Sequence, residues 1–198
     1  MYKQQSSKTV QSKRYEILNG LPPYGPMYIS ISEDGVPFHF QGYVVLFYRS
    51  DGTNWVANFK TGNTNFNTIY DFPEFKRTIV FAAGNGYIMA DDEENPVKAI
   101  EAAFTKVFIA DNKILIAADQ TDFTVINIST DEVWRSGRIS WDGFDNLNLS
   151  GDFIIGLAYE PTSGDGRWEP FSFNYKTNEI IGKKYEFKSN TKPWWKIW

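Results

Sequence analysis

The feature that most constrains this chain is a short phrase that it writes three times. "FTVINISTDEVW", Phe123 to Trp134, nearly recurs as "FSFNYKTNEII", Phe171 to Ile181, and more faintly precedes both as "WVANFKTGNT", Trp55 to Thr64. Each copy leaves an aromatic or β-branched run, passes through Thr and reaches Gly62, Asp131 or Asn178. Those three residue types tolerate positive φ, as a tight hairpin with a bulge requires. In the last two copies Glu132-Val133-Trp134 and Glu179-Ile180-Ile181 then begin a return strand. The phrase therefore reads as the outer hairpin of a repeated sheet unit. Its leading residues, Asn58, Asn127 and Asn174, stand 69 and 47 residues apart. The second interval matches a propeller blade of roughly 40–50 residues, and an insertion near 95–104 accounts for part of the excess in the first.

The remaining text keeps the same rhythm. "MYISIS" alternates before Asp34-Gly35, and "FHFQGYVVLFYRS" runs to Asp51-Gly52. "RTIVFAAG" and "GYIMAD" flank Asn85-Gly86, a strong hairpin signal. "KVFIAD", "KILIAAD" and "FTVINIS" follow with short connections; after "GFDNLNLSG" come "DFIIGLAYEP", "RWEPFSFNY" and "EIIGKKY". An aromatic fraction of 17%, with 16 Phe, 11 Tyr and 7 Trp, suits pleated sheets better than helical bundles. One helix is expected, near 95–104: acidic residues precede Pro96, and Val97, Ile100, Ala103 and Phe104 share a helical face. The fold expected is thus mostly β, an antiparallel meander of blade-like, propeller-like sheet units with one short helix. Residues 1–14 read as a flexible arm, "GLPPYGP" as a stiff connector, and 15–198 as a single β-rich domain.

Several chemistries are excluded by composition. With no Cys, there are no disulfides, thiolate nucleophiles or Cys-based metal sites; with one His, multi-histidine centres are impossible. A net charge of −4 argues against a phosphate-backbone ligand, so nucleic acid is not an expected partner. The polar, basic start resembles no signal peptide and no segment approaches a membrane span, which predicts a cytoplasmic protein. No phosphate-cradling glycine loop and no hydrolase or metalloprotease motif is present, so no catalytic residue and no cofactor are assigned.

His39, between Phe38 and Phe40, reads as a packed or surface-facing strand residue. The acidic run Asp91 to Glu94 lacks the donor spacing and glycine of a calcium loop and reads as helix N-terminal charge. Asp142 and Asp145 lie beside Trp141 and Phe144; paired acids with stacking rings are what glycoside hydrolysis uses. Asp-Gly is also a turn signal, and positions 34–35, 51–52, 142–143 and 165–166 all carry it, which favours a turn. Trp134, Trp141 and Trp168 fall at strand ends or turns, and the chain closes "KPWWKIW" with Trp194, Trp195 and Trp198. The terminal indoles either dock on the sheet, or anchor a protein partner, or form a sugar platform.

"EVWRSGRISWDGFDNLNLSGDFIIGLAYEP", "RWEPFSFNYKTNEIIG" and the terminal "KPWWKIW" resemble a group of small bacterial β-rich proteins met near polymorphic toxin or secretion-system genes. The resemblance covers the C-terminal third and implies an immunity-type neighbourhood; it carries no catalytic motif and transfers no residue role. The leading expectation is a non-catalytic protein-binding domain, including an immunity-type protein that occludes a basic effector. Its face would be centred on Trp134, Trp141, Trp168, Trp194, Trp195 and Trp198, with Asp142 and Asp145 at the rim. Carbohydrate recognition or hydrolysis through Trp141, Trp168, Asp142 and Asp145 is the alternative, and a structural accessory domain the third.

Overall fold

The computed structural model describes residues 13–25, 27–161 and 166–182. Among them there is no α-helix, and the strands form four sheets of four. The chain divides into two compact units, one ending at Ala103 and the other beginning at Phe104.

The first unit holds two sheets. β1 (Tyr15–Leu18), β2 (Ile29–Ile31), β3 (Tyr43–Tyr48) and β4 (Asn54–Phe59) are ordered β1-β3-β4-β2, with β2 parallel to β4 and the other pairs antiparallel. β5 (Thr68–Phe72), β6 (Arg77–Ala82), β7 (Asn85–Ala90) and β8 (Pro96–Ile100) form a plain antiparallel meander. The core of this unit gathers Phe47, Trp55 and Phe59 of the first sheet with Val80, Tyr87 and Met89 of the second. Burial pushes the Tyr87 hydroxyl up to about 12, and that hydroxyl donates to the Lys60 carbonyl at 2.7 Å.

The second unit holds two more meanders. One is β9 (Lys106–Ala110), β10 (Ile114–Ala118), β11 (Phe123–Asn127) and β12 (Glu132–Arg135); the other is β13 (Phe144–Ser150), β14 (Phe153–Glu160), β15 (Arg167–Asn174) and β16 (Glu179–Gly182). Phe123 lies at the centre of their shared core, its ring 5.3 Å from Phe173 and 4.9 Å from Phe144, both stacked. Such ring pairs add about 0.5–1.5 kcal/mol each beyond area burial, which is one use of the aromatic-rich composition. The four-stranded antiparallel meander is the blade-like, propeller-like unit that the repeated phrase predicts.

Two of the three copies of that phrase are the same hairpin. In β11–β12 and β15–β16, Asn127 faces Glu132 and Asn174 faces Glu179. Each Asn side chain accepts backbone N–H groups of the turn: Ser129 at 3.1 Å, and Lys176 and Thr177 at 2.9 and 3.2 Å. Each turn ends in the left-handed region, at Asp131 (φ 59°) and Asn178 (φ 60°). The first copy departs from this. After Phe59 the chain crosses to the neighbouring sheet, where Gly62 donates to the Ala82 carbonyl at 2.9 Å. A Cβ at Gly62 would sit 2.6 Å from the Ala83 oxygen, so its glycine serves close approach rather than a hairpin bend.

Further expectations are corrected. The segment near 95–104 is not helical: Pro96–Ile100 is β8, an edge strand whose first residue is Pro, a place where a missing N–H breaks no ladder. The acids ahead of it are drawn to side chains of the first sheet and its flank instead of capping a helix; Asp91 pairs with Arg14, Glu94 with Arg49, and Asp92 accepts from Ser50. The β6–β7 hairpin turns at Ala83-Gly84 (φ 46° and 93°), while Asn85 and Gly86 already belong to β7. "GFDNLNLSG" contains β13, and "PFHF" precedes its strand as a loop, with pairing starting at Tyr43.

Candidate functional site

In the second unit one end of the sheets is organised by Ser140, a fully buried residue in the β12–β13 connection. Its hydroxyl donates to the Gly143 carbonyl at 2.5 Å and accepts the Tyr159 N–H at 3.0 Å. Trp141 N–H reaches the Tyr159 carbonyl at 3.1 Å, and Gly143 N–H reaches the Gln120 carbonyl at 2.7 Å. The β12–β13 connection is thereby fastened to the tip of β14 and to the β10–β11 turn. Gly143 has φ 102°, a conformation that suits glycine, so the Asp142-Gly143 turn reading holds.

These bonds bring Trp141 and Trp168 to one place. Tyr159 faces Trp168 across the β14–β15 ladder, with ring centroids 5.3 Å apart, and it is the same Tyr159 backbone that holds Trp141. The indoles remain 40% and 46% exposed, well outside the core. Arg138 lies over the Trp141 ring at 5.1 Å, and its guanidinium donates to the Trp141 carbonyl at 2.6 Å. Asp142 is exposed beside them.

Asp145 is placed by a β-bulge. The β13–β14 register shifts between Asp145 and Asn148, and Asn146 adopts φ 53°. Across the ladder Gly156 makes room: a Cβ there would lie 2.9 Å from both the Asp145 oxygen and Leu147 Cδ2. The bulge turns Asp145 outward, where its carboxylate accepts the Asn146 N–H at 2.8 Å. Beside it opens a cleft of about 390 Å³, lined by Lys106, Asp119, Gln120, Phe144, Asp145 and Asn146 among others. Asp119 closes its own turn by accepting the Thr121 and Asp122 N–H groups at 2.6 and 2.8 Å. Next to it, burial and then the Asp119 charge raise the proton affinity of Asp122, whose Oδ1 is buried without a hydrogen-bond partner.

Of the residues singled out from sequence, Trp141, Asp142, Asp145 and Trp168 thus share one end of the second unit. Trp134 goes elsewhere: it sits in β12 and packs edge-on to Phe173 at 5.9 Å against the core. Trp194, Trp195 and Trp198 lie outside the described residues. His39 belongs to the first unit, its Nδ1 2.8 Å from the Phe40 carbonyl oxygen. Among the described residues no three His, Cys, Asp or Glu side chains converge as a metal site, and no helix is long and apolar enough to cross a membrane. Sequence reading missed Ser140 and Tyr159, whose roles arise from long-range pairing, and Arg138, which acts locally on the Ser140 and Trp141 carbonyls and the Trp141 ring. The Asp119 turn was open to view in "DQTD", a pattern of side chain and following N–H groups that forms Asx turns.

No protein-family model matches this sequence, and no curated protein matches it. Among solved structures, it is similar to a presumed 6-phosphogluconolactonase from Bacteroides fragilis, at 12% identity and a TM-score of 0.42, over 76% of this chain and 52% of that one. It is also similar to the N-terminal domain of Nup159, at 12% identity and a TM-score of 0.38, over 90% of this chain and 52% of that one. The chain spans about half the length of each.

Proposed function

We propose that this chain is a non-catalytic protein-binding domain that engages its partner through the Trp141–Trp168 face of the second unit. The observation that carries this reading is the pair of part-exposed indoles, Trp141 on a hydrogen-bonded loop and Trp168 on the adjoining strand β15. Trp is favoured at interface centres, and a face already rigid loses little entropy on binding. Asp142, next to Trp141, and Asp145, on the bulge of β13, are both exposed and suit a partner with a basic rim, mainly through encounter rate and orientation. An immunity-type protein that covers a basic effector is the form of this function that the sequence resemblance suggests. Both acids are exposed to solvent rather than set in an enclosed, apolar pocket of the kind a general acid uses, which supports binding over paired-acid hydrolysis.

The polar cleft of about 390 Å³ beside Asp145 favours one second reading, recognition of a carbohydrate without hydrolysis. The two separate experimentally. Affinity capture from the native host, followed by calorimetry with the purified partner, is expected to show a complex that Trp141→Ala and Trp168→Ala each weaken by about 30-fold, the size of a hot-spot loss. Capture of nothing, or a complex indifferent to both substitutions, overturns the protein-binding reading. Glycan-array binding abolished by Trp141→Ala would install the carbohydrate reading in its place.

A further inference from the structure

The β13–β16 sheet has a second apolar face that the core does not use. From Phe153 to Tyr159, β14 carries apolar or aromatic residues on both sides, where a strand with one wet face would alternate with polar ones. Ile154 and Ala158 point into the core, so Phe153, Ile155, Leu157 and Tyr159 point away from it. The ladder widens that outer face. Asn148, Ile155, Ser172 and Ile181 stand in one cross-strand row, and Leu157 pairs with Pro170 in the next. Among the described residues the core cluster takes in none of these side chains, and Ile155 and Ile181 are 38% and 52% exposed.

The segment that follows this sheet in the chain, 183–198, lies outside the described residues. Strand β16 is an edge of the sheet and stops at Gly182, whose φ is 99°. A Cβ there would lie 2.7 Å from the Pro170 carbonyl oxygen, so the backbone leaves the sheet tight against β15, beside a residue of the outer face. The text beyond, "KKYEFKSNTKPWWKIW", carries Tyr185, Phe187, Trp194, Trp195, Ile197 and Trp198. From β16 to β13 is three strand spacings, about 15 Å, and an extended chain covers roughly 3.3 Å per residue. Trp194, twelve residues past Gly182, can therefore reach every strand of the sheet.

Charge and tethering select this occupant. The segment holds five Lys and one Glu, whereas 104–161 and 166–182 hold eleven acids and six basic residues, so it is drawn to its own unit. Asp145, opposite Leu157, and Glu179, opposite Asn174, are exposed on the two edge strands. A segment already joined to β16 meets the face at an effective concentration on the order of mM, which a separate molecule must exceed to displace it. Aromatic side chains bury about 150–250 Å² each, enough to cover the exposed isoleucines.

We propose that residues 183–198 fold back over the outer face of the β13–β16 sheet and seat the Trp194–Trp195 pair on Ile155, Leu157, Pro170 and Ile181. This docking does not rest on partner binding at Trp141 and Trp168, and either reading can fail alone. The chain has no Cys, so Asn148→Cys, exposed in the same row as Ile155, gives the full chain a single site for a nitroxide. NMR is expected to show the indole N–H signals of Trp194 and Trp195 broadened by that label, and hydrogen exchange to show their backbone amides protected. Ile155→Ser with Ile181→Ser should abolish the broadening and speed that exchange at least about tenfold. Both isoleucines are part-exposed, so the fold should survive, checked by unchanged exchange in β10 and β11. Trp194→Ser with Trp195→Ser leaves the sheet itself untouched and should raise the binding of an apolar dye to the vacated face. A mixture of nitroxide-bearing chain and isotope-labelled chain without nitroxide reports on a second copy. No broadening, broadening that persists in the isoleucine variant, broadening as strong in the mixture, or dye binding unchanged in the tryptophan variant overturns the proposal.

Discussion

Replacing Ser140 by Ala tests whether the candidate face is held by one buried hydroxyl. The substitution removes the bond to the Gly143 carbonyl at 2.5 Å and the bond from the Tyr159 N–H at 3.0 Å, both at a residue with no exposed surface. A buried group left unsatisfied costs about 1–3 kcal/mol. Here the loss is softened, because the Tyr159 N–H already also donates to the Gly143 carbonyl at 3.3 Å and can shorten that bond, and the Trp141–Tyr159 bond survives. The expected cost is therefore in the lower half of that range, about 1–2 kcal/mol. For a chain of this size that lowers Tm by about 2–8 °C. Calorimetry gives the shift, and hydrogen exchange localises it: the Tyr159 amide should exchange about 5- to 30-fold faster, while amides of β3 and β4 keep their rates. A Tm within about 1 °C of wild type together with unchanged exchange at Tyr159 would refute the reasoning, since the loop would then be held by its backbone bonds alone.

Other expectations follow from single residues. Gly156→Ala drives a Cβ against the Asp145 oxygen and Leu147 Cδ2, each at 2.9 Å, and should cost about 1–3 kcal/mol in denaturant titration; a neutral result would show that the bulge yields freely. Asn178 sits at φ 60°, so Asn178→Val should lose about 1–2 kcal/mol while Asn178→Gly stays near wild type, and equal melting of the two would contradict the left-handed turn. Asp122 binds its proton more tightly folded than unfolded, so its contribution to stability is present at low pH and is lost as pH climbs from the unfolded value near 3.9 through the raised folded one. Asp122→Asn should remove that dependence, making the variant gain on wild type between about pH 3 and pH 7 in urea titrations; a stability difference that stays flat with pH counts against it.

What could be read from the sequence divides along a physical line. Local turn chemistry was legible: the Asn127 and Asn174 turns use side chains that reach only two or three residues, so their text and geometry coincide. The 95–104 segment failed because its apolar spacing fits either a helical face or a strand, and only the sheet edge offered by β7 decides between them. Gly62 was misread for the same reason, since close approach to a second sheet and a hairpin bend both call for glycine. Trp141, Asp142 and Trp168 were found as turn-end residues, but their company was not, because Ser140 and Tyr159 are 19 residues apart in the chain. Phe38 and Phe40 alternate with His39, which looks like a strand and is in fact a loop laid on β4.

Ser140 and Asn58 invite a common argument. Each is buried at 0% exposure, and each spends its side chain on the backbone of a connecting segment rather than on another side chain. Burying a polar group yields only a modest net gain even when it is well bonded, because the bond replaces bonds to water. What such a group does supply is a single conformation for the segment it holds. In both cases that segment leaves large aromatic side chains in water, Trp141 in one unit, Phe38 and Phe40 in the other. Holding a loop rigid while exposing its apolar residues does nothing for the isolated fold, and it lowers the entropy lost when those residues enter a partner. Asn58→Asp keeps an acceptor for Gly42 but buries a carboxylate against the Phe40 carbonyl, so it should lower Tm by several degrees in calorimetry; an unchanged Tm would show that Asn58 does not hold the loop.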